Sequence, residues 1–192
     1  MPKVKLLYCR HMSLDAGIVV FLNGFIGASP VLDFMLLFLA SYLPYLLVVA
    51  FALLLYLSSY SVREKLYIGG VALISALVAR FGATEIIRFF YHRPRPFMAY
   101  DLHTLFTDYS WSFPSGHATF FFAMSVAIYL YDKKWGVGFF IATLAVTISR
   151  VVVGVHYPSD ILGGMLVGTL VAYVTFSTVE RWRANKSVQQ NK

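Results

Sequence analysis

The sequence predicts an all-α, polytopic membrane helical bundle: five transmembrane helices plus an N-terminal interfacial helix, with six spans as the alternative. Three observations carry this. The chain has 192 residues, of which 59% are hydrophobic and 13% charged, and its mean hydropathy is +0.69; a soluble domain carries about 25% charged residues. Five segments reach or approach the roughly 20 apolar residues that a spanning helix needs: 34–57, 66–90, 115–131, 135–155 and 159–180. Connections such as YDKK are tight, which makes neighbouring helices antiparallel. The length suits one domain covering 1–192, without internal repeat or low-complexity tract.

Residues 1–29 come first and are the least regular. Lys3, Lys5 and Arg10, followed by AGIVVFLNGFIGAS, have the basic, apolar and small-residue order of a signal peptide. Asp15, Asn23 and the glycines interrupt that pattern, and an amphipathic helix lying in the interface fits better. A short sixth span and a cleaved signal are the alternatives. The segment 34–57 is a long apolar run. Segment 66–90 carries Arg80 and Glu85, expected to be a structural pair because an unpaired charge at bilayer depth costs about 2.5–3.5 kcal/mol. Segment 115–131 is short and opens with PSGH, whose Pro-Ser is most often a plain helix start. Segments 135–155 and 159–180 follow, and the polar tail 181–192, RWRANKSVQQNK, is expected to be cytoplasmic and frayed.

Charge and cysteine content exclude other classes. Net charge is +7, but no basic helix or RNA-type motif accompanies it, so nucleic acid is not an expected partner. A single cysteine, Cys9, excludes an internal disulfide framework.

Antiparallel spans sort the polar residues by face. Arg88, Arg93 and Arg95 end the second span and enter its loop; Ser115 and His117 open the third; Arg150 ends the fourth; His156 and Asp160 straddle the turn into the fifth. Residues far apart in sequence thus fall in one layer. The other face carries Arg63, Lys65, Lys133, Lys134, Arg181, Arg183, Lys186 and Lys192. By the positive-inside rule that face is cytoplasmic, which turns the polar layer outward.

The layer has the composition of a phosphate site. Arg88, Arg95 and Arg150 can offer paired donors to phosphoryl oxygens and stay charged when partly desolvated. Ser115 and Gly116 stand at a helix start, where N–H groups and the dipole favour an anion. His156 can attack phosphorus through a neutral ring nitrogen, Asp160 can fix its tautomer, and His117 can protonate the departing oxygen and later activate water. Singly, each has a plainer explanation: an arginine or histidine near a span end is usually an interfacial anchor. Tyr100, Phe106, Tyr109, Trp111 and Phe113 most simply form an interfacial belt, with a headgroup gate as the sharper alternative. His117, His156 and Asp160 could also hold a metal, but nearby arginines repel a divalent cation, so neither metal nor cofactor is expected.

Arg88 and Arg95-Pro96 separated by six residues, Pro114-Ser115-Gly116-His117, and Ser149-Arg150 followed by His156 and Asp160, in that order, resemble the type-2 phosphatidic acid phosphatase superfamily. RFFYHRPRPF, the compact length and LNGFIGASPVLDFMLLFLASYLPYL resemble in particular its bacterial undecaprenyl-diphosphate phosphatases of the bacitracin-resistance type. The motifs cover residues 88–160. The resemblance implies an all-helical fold and metal-independent chemistry. Arg95 and Arg150 would bind phosphate with Ser115 and Gly116, His117 would donate the proton, and His156 would be the nucleophile with Asp160 as partner. The family pattern begins with lysine where this chain has Arg88, which keeps the charge and changes the geometry.

The expected function is hydrolysis of undecaprenyl diphosphate to undecaprenyl phosphate and inorganic phosphate through a phosphohistidine, at the outer face of a bacterial plasma membrane. The partners would be the lipid diphosphate substrate and membrane lipids. Alternatives are a phosphatase for phosphatidylglycerophosphate or phosphatidic acid, and a non-catalytic phosphate-lipid binder or transporter. A binder needs the arginines but neither a nucleophile nor a proton donor.

Overall fold

The computed structural model describes residues 12–190. Lys3, Lys5, Cys9, Arg10 and Lys192 lie outside the described residues. All regular structure among the described residues is helical. The helices are α1 Leu14–Asn23, α2 Pro30–Leu57, α3 Val62–Phe90, the single turn α4 Pro96–Ala99, α5 Gly116–Tyr131, α6 Lys133–Val152 and α7 Pro158–Gln190. Four of these, α2, α3, α6 and α7, are long and apolar enough to cross a membrane, and α1 and α5 are shorter apolar helices.

Local sequence sets the boundaries. Ser61 and Glu64 form a capping box at the start of α3, each satisfying a backbone N–H of the other. Asp132 is the one residue between α5 and α6; its carboxylate accepts the Trp135 N–H at 3.0 Å, so the corner is stapled where it turns. Pro158 begins α7, where its missing N–H costs nothing.

Helix α5 is the axis of the bundle, packed against α3, α6 and α7, with Phe121, Phe122, Met124 and Ile128 buried. Its fit against α7 depends on small residues. A Cβ at Gly164 would meet the Ala118 Cβ at 2.6 Å, and one at Gly168 the Thr119 carbonyl at 2.5 Å. Two glycines four apart let the helices approach closely, as membrane helices do without a hydrophobic drive between them.

Two of the long helices contain π-helical turns, Phe38–Tyr42 in α2 and Val78–Ala83 in α3. Such turns widen the helix and redirect carbonyls, often near functional sites. Both contribute to the polar end of the bundle described below.

At the other end, Tyr60 donates to Asp132 at 3.2 Å, Tyr131 to Glu180 at 3.1 Å, and the Arg183 guanidinium stacks 4.3 Å over the Tyr67 ring. The basic residues 63, 65, 133, 134, 181 and 183 thus share one end. The tail differs from expectation: α7 runs on to Gln190 instead of fraying at 181. Arg183 anchors that extension through Glu180 at 2.7 Å and Tyr67.

The N-terminal helix α1 has ten residues, rising about 15 Å, half of a hydrocarbon core of about 30 Å. It packs across the polar end against α6 and α7, burying Ala16 and Val19 with Val151 and Tyr157.

Candidate active site

The site is assembled from the C-terminal end of α3, the loop 91–115, the N-terminus of α5, the C-terminal end of α6 and the turn into α7. At its centre His156 is completely buried. Its Nδ1 lies 3.3 Å from Asp160 Oδ2, and its Nε2 lies 3.2 Å from Arg95 Nη1. A guanidinium can only donate. Nε2 must therefore accept, which places the ring proton on Nδ1, facing Asp160. Burial pushes the imidazole down to about 3; the hydrogen bond to Asp160 opposes this, and the charges of Arg95 and Arg150 add to it. His156 is thus neutral near pH 7, with a lone pair on Nε2.

Asp160 is fully buried and saturated with donors. Oδ1 accepts from Arg93 Nη1 at 2.7 Å; Oδ2 accepts from the Tyr157 N–H at 2.8 Å, from Ser112 Oγ and from His156. An ionised carboxylate offers about four acceptor positions, and four donors meet this one, three of them at Oδ2. The backbone carbonyl of Asp160 also accepts the Ser115 N–H at 3.0 Å, tying the start of α7 to the start of α5.

The arginines differ in what they hold. Arg95, 1% exposed, donates through Nε to the Ser110 carbonyl at 2.8 Å, through Nη1 to the Val155 carbonyl at 2.9 Å, and through Nη2 to Asp108 at 2.6 Å and Ser110 Oγ at 2.9 Å. Burial pulls its pKa down to about 10, still far above neutrality, with Asp108 opposing. The Asp108 carboxyl lies below its ordinary value: burial would raise it, but the Ser110 hydrogen bonds and the Arg95 charge outweigh that. Arg150 donates from Nη1 to the Ala40 carbonyl at 3.0 Å, in the π turn of α2, and lies 5.3 Å over the Phe106 ring. Arg88 donates from Nη2 to the Pro114 carbonyl at 3.0 Å. Among the described residues, the buried Nε atoms of Arg88 and Arg150 have no hydrogen-bond partner. An unmet buried donor costs about 1–3 kcal/mol, which an anionic ligand would recover.

Ser115 caps α5, its Oγ accepting the Ala118 N–H at 3.5 Å. Gly116 is the first residue of α5 and carries the Arg80 side chain against it; a Cβ there would lie 2.5 Å from Arg80 Nε. His117 follows, half-buried, on the wall of a groove shared with Arg80. All eight expected site residues, Arg88, Arg95, Ser115, Gly116, His117, Arg150, His156 and Asp160, therefore lie at one end of the bundle.

Three supporting groups, Asp15, Asp108 and Ser112, were not expected at the site, and Arg93, expected in the polar layer, gains a supporting role there. Asp15 in α1 and Arg93 pair at 2.6 Å, and Asp15 also accepts the Ser159 N–H at 3.0 Å. Arg93 stacks 3.8 Å over the Tyr157 ring, and burial, which lowers its pKa, is outweighed by Asp15 and Asp160. Asp108 and Ser112 complete the set. Arg93 and Asp15 were visible as charges in apolar surroundings, but their partners are 67 and 78 positions apart from Arg93. Of the aromatics, Tyr109 and Trp111 are exposed, whereas Phe106 packs beneath Arg150 and the Phe113 ring occupies the space beside Gly163.

The chain is similar to several known proteins. The family model described as PAP2 superfamily matches residues 66–184. Over 161 residues the chain is 33% identical to the undecaprenyl-diphosphatase BcrC of Bacillus subtilis (strain 168), covering 81% of this chain and 79% of that one. Among solved structures, Aquifex aeolicus LpxE superposes with a TM-score of 0.70 at 24% identity, over 86% of this chain and 96% of that one. The transmembrane PAP2 type phosphatidylglycerolphosphate phosphatase from Bacillus subtilis superposes with a TM-score of 0.60 at 21% identity, over 93% and 92%.

Proposed function

The chain belongs to the PAP2 superfamily, a multi-pass membrane phosphatase, and from that premise we propose that it hydrolyses undecaprenyl diphosphate to undecaprenyl phosphate and inorganic phosphate. The observation that carries the chemistry is the double contact of His156, donor to Asp160 and acceptor from Arg95.

In the first step Nε2 of His156 attacks the terminal phosphorus as the phosphate takes over Arg95. An N–P bond forms and the P–O bond to the lipid-bearing phosphate breaks, its electron pair staying on that oxygen. His117 gives its proton to the departing oxygen. Asp160 stabilises the positive charge that the ring acquires. In the second step neutral His117 takes a proton from water, the water oxygen attacks phosphorus, and the N–P bond breaks, releasing inorganic phosphate and restoring His156. Arg88, Arg95 and Arg150, with the N–H groups at the start of α5, stabilise charge on the equatorial oxygens in both steps. No step calls for a metal ion.

The topology in this proposal has α2, α3, α5, α6 and α7 as spans and α1 in the interface. The basic end lies in the cytoplasm, and His156 faces the outside of a bacterial plasma membrane. Residues 1–192 act as one domain.

The substrate choice follows the 33% identity to the undecaprenyl-diphosphatase BcrC over 81% of this chain and 79% of that one, and the site would also accept a phosphate monoester. The test is phosphate release by the purified protein in detergent and excess chelator, with undecaprenyl diphosphate, phosphatidylglycerophosphate and phosphatidic acid compared and His156→Ala as blank. Preference for the diphosphate is the expected outcome. Preference for a glycerophospholipid would keep the mechanism and replace the substrate, and release from none would leave a non-catalytic binder.

A further inference from the structure

Arg80 is a charge that the chemistry at His156 does not use. It stands in the π turn of α3 and reaches across to α5, over Gly116. There its Nε and Cδ would lie 2.5 and 2.9 Å from a Cβ, so only glycine leaves room for it. With His117 it lines a groove of about 270 Å³. The remaining wall is largely apolar, with Pro44, Tyr45 and Val48 from α2 and Phe81 and Phe120 facing them. The groove therefore joins a cation and the expected proton donor to a surface fit for the first carbons of a lipid tail.

The position is electrostatically poor for a cation. A helix N-terminus carries partial positive charge, and Arg88 adds a full one. The compensation is Glu85, which pairs with Arg80 and lies 3.6 Å from Arg88 Nη1. Glu85 is 49% exposed and Arg80 28%, so this carboxylate is open to exchange for another anion.

A lipid diphosphate brings two phosphoryl groups. The terminal one must reach His156, which is wholly enclosed. The lipid-bearing one is the leaving group and must sit by the proton donor, His117, whose groove Arg80 shares. We infer that Arg80 binds the lipid-bearing phosphate, taking it in exchange for Glu85, and so selects lipid diphosphates over phosphate monoesters. This deepens the proposed function and rests on it. When the P–O bond breaks, its electron pair passes to the bridging oxygen, now part of the lipid monophosphate. His117 protonates that oxygen, and Arg80 neutralises charge remaining on the leaving phosphate. A monoester presents no second phosphate at this position.

The test keeps the tail constant and changes the number of phosphates. Hydrolysis of farnesyl diphosphate and farnesyl monophosphate is measured with the wild-type protein, Arg80→Gln, Arg80→Lys and Glu85→Gln, with thermal unfolding as the check on folding. Arg80→Gln is expected to lower kcat/KM for the diphosphate about tenfold or more while the monophosphate stays within about threefold. Arg80→Lys is expected to recover part of the loss. Glu85→Gln, which leaves Arg80 in place, is expected to lower KM for the diphosphate alone. Equal losses on both substrates, or none on either, would overturn the role of Arg80 and leave the diphosphatase assignment standing. A wild-type protein that does not favour the diphosphate would overturn that assignment and this inference with it.

Discussion

Arg95 Nη1 lies 3.2 Å from His156 Nε2, and this contact determines how the imidazole can react. A donor on Nε2 leaves the proton on Nδ1, where Asp160 receives it. The nitrogen presented to the phosphate pocket is therefore the one with the free electron pair. In the proposed mechanism Arg95 would hold that same position until a phosphate claims its guanidinium.

The role of His156 gives the most direct substitution. His156→Ala is expected to lower turnover by roughly 10³-fold or more while leaving folding and membrane insertion intact. Phosphate release together with a detergent unfolding curve checks both halves.

The protonation state of His156 gives a spectroscopic expectation. Its depressed pKa of about 3 keeps the ring neutral and nucleophilic throughout the neutral range, and protonation would begin only as pH falls toward that value. Its ring nitrogens, followed by NMR, should therefore show no titration between about pH 5 and about pH 8, where an ordinary histidine with pKa ≈ 6.5 protonates. A transition in that window would mean that the ring is not held as described.

Asp160 is positioned from the N-terminal helix as well as from its own turn. Arg93 carries the link, pairing with Asp15 at 2.6 Å and with Asp160 at 2.7 Å. Arg93→Met should leave part of the Asp160 carboxylate buried without a partner. A loss of about 10- to 100-fold in kcat is expected. Asp15→Asn should give a smaller loss in the same direction.

In the proposed mechanism, Asp108, paired with Arg95 at 2.6 Å, would compete with substrate for that guanidinium. Asp108→Asn removes that charge while keeping the side-chain shape, and inorganic phosphate should then inhibit more strongly, by about three- to tenfold. Inhibition constants at a fixed salt concentration are the readout.

The close packing of α5 on α7 makes a stability test independent of catalysis. Gly168→Ala puts a methyl group 2.5 Å from the Thr119 carbonyl, and a cost of about 1–3 kcal/mol is expected from this overpacking. A lowered unfolding midpoint checks it.

The legible parts of this protein were those written locally. The apolar runs located α2, α3, α5, α6 and α7, and Pro114-Ser115 marked a helix start that the structure keeps. Antiparallel alternation was enough to gather His117, Arg150 and His156 at one end. What stayed hidden depends on contacts between distant segments. No spacing rule links Asp15 to Arg93 or Arg150 to the Ala40 carbonyl, the latter pair 110 positions apart. The π turns were equally invisible, because FLASY and VARFGA carry the same apolar pattern as the α-helix around them. In sequence the nearest charge to Arg80 is Glu85, which points to a structural pair; its contact with Gly116 appears only once α3 and α5 are packed.

The central claim is covalent catalysis by His156, and rapid quenching tests it most directly. The protein is mixed with undecaprenyl diphosphate labelled with ³²P at the terminal phosphate, stopped within one turnover, and digested at alkaline pH. Label is expected on the peptide containing His156, stable in base, lost in acid, and missing from His156→Ala. Full turnover with no labelled peptide at any quench time, or label on another residue, would contradict it.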